Sequence, residues 1–189
     1  MTDPGFFLYD AATSNLTYGE IYIERDDNND MDVWSEISGW KGTGRVFLDP
    51  GVYDLFMEAD AWSNETTTTI APTPVSVRLH LRYAKAGSAL QAPSGKAKPY
   101  VKLPASRTCA THDVRLKLKG KAAKAKVVKL LVNGKTVKTI KNPQGGEKAN
   151  LAVADGSDAS VVARVVLKPT SKGAKPATVE SSASYLACG

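Results

Sequence analysis

The residues able to do chemistry fall in a few places along the chain. Asp26, Asn28, Asp30 and Asp32 set oxygen donors at alternate positions of one acidic stretch. That spacing suits a hard cation such as calcium, which takes six to eight oxygen ligands. The sixth position, where a calcium-binding loop of the helix-loop-helix kind carries glycine, is Met31, and no glutamate follows at the twelfth. The expectation is therefore a solvated hairpin tip with at most weak calcium affinity, and no other cofactor. Cys109 and Cys188 are the two cysteines of the chain. They stand near the ends of its second half with no other thiol to compete, so a disulfide is expected over two buried free thiols, which places the working compartment outside the reducing cytosol.

The histidines, His80 and His112, have neither a nucleophile motif nor metal-ligand companions at useful spacing. Gly134-Lys135-Thr136 ends like a phosphate-binding loop, but the glycine required five positions earlier is Lys129 and no helix is predicted to follow. A carboxylate pair can hydrolyse a glycoside without leaving a motif, yet two small sandwiches offer little depth for a cleft, and a non-catalytic chain is expected. Trp34, Trp40 and Trp62 are candidates for a sugar-stacking platform or for core and corner packing. Lys117, Lys119, Lys121, Lys124, Lys126 and Lys129 are candidates for a surface that meets an anionic polymer such as cell-wall teichoic acid. Their other reading is solvated outer faces of strands, where lysine also blocks edge-to-edge pairing. No aromatic residue interleaves them, which speaks against stacked single-stranded nucleic acid.

The elements that would position these residues are strands. Lys126–Leu131 and Lys135–Ile140 flank Asn133-Gly134, the pair that supplies the two positive-φ positions of a type I′ hairpin turn. Val114, Leu116 and Leu118 alternate with Arg115, Lys117 and Lys119, the period of two of a half-buried strand. Residues 149–154, 160–167 and 177–187 read as further strands. In the first half, strands are expected at 5–9, 16–25, 33–40, 45–48, 52–61 and 75–82, with a turn over 11–15 and another at Asp49-Pro50-Gly51. Residues 84–108, rich in Ala, Lys, Ser, Gly and Pro, read as a linker whose later part pairs as an edge strand. The fold class that follows is all-β, arranged as two tandem sandwiches over 1–83 and 109–189.

Charge divides the chain at the same place. Residues 1–83 hold five basic and 14 acidic side chains, and residues 84–189 hold 20 basic and five acidic, within a net charge of +6. Twelve of the 14 aromatic residues lie in the first half. No apolar run approaches the roughly 18 residues a membrane helix needs, and the residues after Met1 lack the basic and apolar regions of a secretory signal.

Gly19-Glu20-Ile21-Tyr22-Ile23, Gly44-Arg45-Val46-Phe47-Leu48, Pro50-Gly51-Val52-Tyr53-Asp54-Leu55 and Pro74-Val75-Ser76-Val77 together resemble the bacterial immunoglobulin-like repeats of surface and secreted proteins. The second half, with its Val-Asn-Gly-Lys hairpin and terminal cysteines, is similar to the small immunoglobulin-like modules that end many secreted proteins of high-GC Gram-positive bacteria. Two departures stand out: the first half is short of one or two leading strands, so that it reads as beginning inside a domain, and the Cys-Trp-Cys core is absent. The resemblance implies a non-catalytic spacer, adhesion or binding module and transfers no functional residue. The expected function is a structural or adhesive module of an extracellular surface assembly, with a virion decoration or tail protein and a polysaccharide-binding module as alternatives. The expected partners are neighbouring surface or virion proteins, or other copies of the chain, acidic half against basic half.

Overall fold

The computed structural model describes residues 2–14, 18–25, 33–37, 41–60, 76–171 and 173–189. The chain is all-β, its sheets are antiparallel, and it divides into two compact units, Met1–Lys85 and Ala86–Gly189.

The first unit holds β1 (Gly5–Ser14), β2 (Tyr18–Arg25), β3 (Val33–Ile37), β4 (Lys41–Leu48), β5 (Tyr53–Asp60) and β6 (Ser76–Lys85). They form two three-stranded sheets, β4-β1-β6 and β3-β2-β5. The expected turn at 11–15 is instead the end of β1, which runs on to Ser14 because β6 is long enough to pair with it throughout, Ala11 opposite Leu79 and Ala12 opposite Arg78. Period-two alternation sets the faces. Phe7 and Leu48 of one sheet and Ile23 and Leu55 of the other line a common apolar cleft of about 290 Å³. On the opposite face of β1, Phe6 meets its cross-strand neighbour Phe47 edge to face at 5.2 Å, with the Arg45 guanidinium 5.3 Å above the Phe6 ring.

The second unit continues with β7 (Ser94–Gly95), β8 (Val101–Lys102), β9 (Asp113–Leu118), β10 (Ala125–Val132), β11 (Lys135–Lys141), β12 (Lys148–Ala152), β13 (Ala159–Leu167) and β14 (Thr178–Tyr185). A five-stranded sheet, β11-β10-β13-β14-β7, faces a three-stranded one, β12-β9-β8. Val114, Leu116, Leu118 and Leu151 from the smaller sheet and Val128, Leu130, Val161, Val165 and Tyr185 from the larger form one buried cluster, the layering of a β-sandwich. The β10–β11 turn has φ of 49° at Asn133 and 79° at Gly134, as the type I′ reading requires. Asn133 also exchanges two bonds with β13: its backbone N–H donates to the Ser160 carbonyl, and the Ser160 N–H donates to Asn133 Oδ1, both at 2.8 Å.

Residues 86–108 are part of this second unit and not a separate linker. Ser94 and Gly95 pair with Ser182 and Ser181 of β14, and Val101 and Lys102 pair with Leu118 and Lys117 of β9. The physical reason is burial: Ala97 and Val101 are in the core at 0% and 2% exposure, so the stretch is held by apolar contact as well as by strand pairing.

Candidate functional site

Cys109 and Cys188 are bonded, with Cα atoms 5.4 Å apart, and close one end of the second unit. Several groups converge there. Arg107, buried, donates from Nη1 to the Ala154 carbonyl at 2.7 Å and from Nη2 to the carbonyls of Asp155 and Ser157 at 2.9 and 3.1 Å. Burial pulls its guanidinium below the ordinary pKa, against the opposing pull of Asp155 and Asp158. Asp158 accepts from the Ala187 N–H at 3.0 Å, and His112 Nδ1 lies 2.8 Å from Asp155 Oδ1. Gly87 N–H donates to the Ala187 carbonyl while Arg107 N–H donates to the Gly87 carbonyl. These bonds tie the beginning of the unit, the 105–113 loop, the 154–158 loop and the segment that follows β14 into one knot. Most of its groups are engaged in backbone bonds and mutual pairing, with the buried Nε of Arg107 left without a hydrogen-bond partner.

The charged surface is different. Of the six candidate lysines, Lys117 and Lys129 lie on opposite faces of the sandwich. Lys117 alternates with buried Leu116 and Leu118 on β9 and points out of the small sheet, while Lys129 sits between buried Val128 and Leu130 on β10 and points out of the large one. Lys121 and Lys124 lie in the 3₁₀ turn Gly120–Lys124, and Lys126 occupies a break in register between β10 and β13. The six therefore do not form one patch. On the large sheet, Lys129 stands beside Arg164, and Arg164 is paired with Glu180 on the next strand, so that row is partly balanced.

The small sheet is not balanced in this way. Lys117 stands directly opposite Lys102 on one side and Lys148 on the other. Three lysines thus lie in register across β8, β9 and β12, all exposed, and among the described residues none is in an ion pair. Lys119, where the backbone is still extended, continues the alternation two residues beyond Lys117. On the other side of Lys117, Arg115 stands opposite Asn150. Arg115 is anchored by its Nε to both carboxylate oxygens of Asp113 at 3.2 Å. Burial pushes Asp113 up, but hydrogen bonds from Thr111 and Arg115 outweigh it and hold its carboxyl below the ordinary value. Like charges directly opposite on adjacent strands are destabilising, and here the penalty occurs twice in one row.

Sequence reading grouped lysines by proximity along the chain and missed Lys102 and Lys148. The signal that could have found them was the alternation in Lys148-Ala149-Asn150-Leu151 set beside that of β9. Asp26, Asn28, Asp30, Asp32, Trp40 and Trp62 lie outside the described residues, and Trp34 stands on β3 opposite Tyr22. Among the described residues, no group of three His, Cys, Asp or Glu side chains is placed to hold a metal ion, and no helix is long and apolar enough to cross a membrane. No protein-family model matches the chain, and no curated protein matches it either.

Proposed function

We propose that this chain is a non-catalytic structural and adhesive module of an extracellular assembly, built of immunoglobulin-like units and attached through the outer face of β8-β9-β12 to an acidic partner. The carrying observation is the row Lys102–Lys117–Lys148, three like charges placed side by side without a carboxylate between them. Such a row costs its own sheet stability, and a polyanionic surface laid across it removes that cost. Lysine, a compact point charge on a flexible stem, suits charge matching over a surface more than bidentate recognition of one group. The disulfide supports the extracellular placement, since such bonds persist in oxidising compartments.

The test uses the full chain and immobilised polyglutamate as the probe. Substituting K102Q/K117Q/K148Q should weaken retention at least tenfold, while K124Q/K129Q/K135Q, which removes the same charge elsewhere on the unit, should weaken it less than twofold. Equal losses in both triples would mean that net charge, and not this face, holds the partner.

A further inference from the structure

One face of β4-β1-β6 gathers the cations of an otherwise acidic unit. Phe6, Leu8, Asp10 and Ala12 share this face of β1. Opposite them β6 places Ala84, Arg82, His80 and Arg78, and β4 places Arg45 opposite Leu8 and Thr43 opposite Asp10. Arg45, Arg78 and Arg82 are three of the five basic residues among residues 1–83. Asp10, Ala12, Arg78 and His80 line a cleft of about 400 Å³. Asp10 and His80 form a cross-strand pair, and Arg78 lies two residues further along β6, opposite Ala12. Asp10, Arg78 and His80 are all exposed, and among the described residues they make no ion pair with one another. Their hydrogen-bonding capacity is left to the cleft they surround.

We infer that this cleft binds an acidic sugar, a hydroxylated ring that carries a carboxylate or phosphate group. The three polar residues divide the recognition. The Arg78 guanidinium is a planar fork of donors that matches a carboxylate or phosphate bidentately. The Asp10 carboxylate only accepts, so the ligand has to bring donors to it. An ammonium group brings them, but Arg45, Arg78 and Arg82 outnumber Asp10 and repel a cation; hydroxyls bring them without charge. A neutral imidazole both donates and accepts, as a hydroxyl does, which suits His80 to the same ring. The cleft volume lies within the roughly 300–1,000 Å³ of small-molecule sites. Further along β1, Leu8 lies between Arg45 and Arg82 and offers an apolar strip flanked by two guanidinium groups to a second sugar unit. The site belongs to the first unit and is independent of the lysine row.

The two histidines of the chain make the test site-specific, because His80 is in the cleft and His112 is in the other unit. The imidazole Hε1 lines of the full chain are followed by proton NMR at fixed pH and salt, with H80Q assigning the His80 line. The probes are glucuronate and glucose 6-phosphate, set against acetate, inorganic phosphate and glucose. The His80 line should move saturably with at least one acidic sugar, at least fivefold more tightly than with the matching plain anion or with glucose, while the His112 line stays. The arm that succeeds tells a carboxylated sugar from a phosphorylated one. R78Q/R82Q should weaken binding at least tenfold, and K124Q/K135Q, which removes the same charge elsewhere, less than twofold. D10N should weaken the acidic sugar but strengthen the plain anion, since the lost carboxylate accepts from hydroxyls and repels anions. Where a variant does not fold, the wild-type comparison of His80 with His112, and of sugar with plain anion, decides alone. A His80 line that stays put, or that moves together with His112, would overturn the site. Equal affinity for acidic sugars and plain anions would overturn the sugar as its ligand.

Discussion

Removing the disulfide should destabilise one unit and spare the other. Cys109 and Cys188 are 79 positions apart. On the loop-entropy model a closed loop of that length contributes about 4.5 kcal/mol, by restricting the unfolded chain. C109S/C188S should therefore lower the stability of the second unit by about that amount, which at a urea slope near 2 kcal/mol per molar is a midpoint shift of about 2 M. The composition makes the assay selective. All three tryptophans belong to the first unit, and the aromatic residues of the second are Tyr100 and Tyr185. Tryptophan fluorescence thus follows the first unit, and disulfide-dependent changes in hydrogen exchange of β9, β10, β13 and β14 follow the second. The tryptophan transition should stay where it is. A loss under about 1 kcal/mol in the second unit, or an equal shift of the tryptophan transition, would mean that the bond does not act by closing one loop within one unit.

Tyr185 is fully buried and its hydroxyl donates to the Pro104 carbonyl at 3.0 Å, with burial pushing its phenol up. The folded state holds the neutral form, so this stabilisation is complete below the unfolded value of about 10 and is lost as pH rises above it. Y185F should cost about 1–2 kcal/mol at neutral pH and flatten the alkaline fall of the urea midpoint. Asp113 has the opposite sign: its folded pKa is depressed, so its contribution is present above the unfolded value of about 3.9 and is lost as pH falls through the lower folded value. D113N should leave acid unfolding less steep below about pH 4. Gly87 has φ of +73°, and a Cβ there would lie 2.8 Å from Cys109 Sγ. G87A should destabilise the second unit by about 1–3 kcal/mol in thermal melts.

Local order was readable from sequence where the signal is local. The Asn133-Gly134 turn needs two positive-φ residues in succession, and the alternation of Val114, Leu116 and Leu118 follows from the pleat; both are found as read. The later part of the stretch does pair as an edge strand, β8, but the linker reading of residues 86–108 misled because their strands are two residues long, too short to show a period, and their partners on β9 and β14 are remote in sequence. The candidate face was half legible for the same reason. Lys117 and Lys119 were visible as outward positions of one strand, but nothing in the order of the chain says that Lys102 and Lys148 flank Lys117, because register between distant strands is set by which apolar residues the core can bury together.

Lysine footprinting shows whether β8-β9-β12 is the face by which this chain holds its partner. The full chain is acetylated briefly, free and bound to polyglutamate, and the modification rate of each lysine is read by mass spectrometry. Lys102, Lys117 and Lys148 should be protected at least fivefold on binding, with Lys129, Lys135 and Lys138 changed by less than twofold. Uniform protection of all lysines, or protection centred on Lys129 and the β10–β11 hairpin, would mean that the outer face of β8-β9-β12 does not hold the partner.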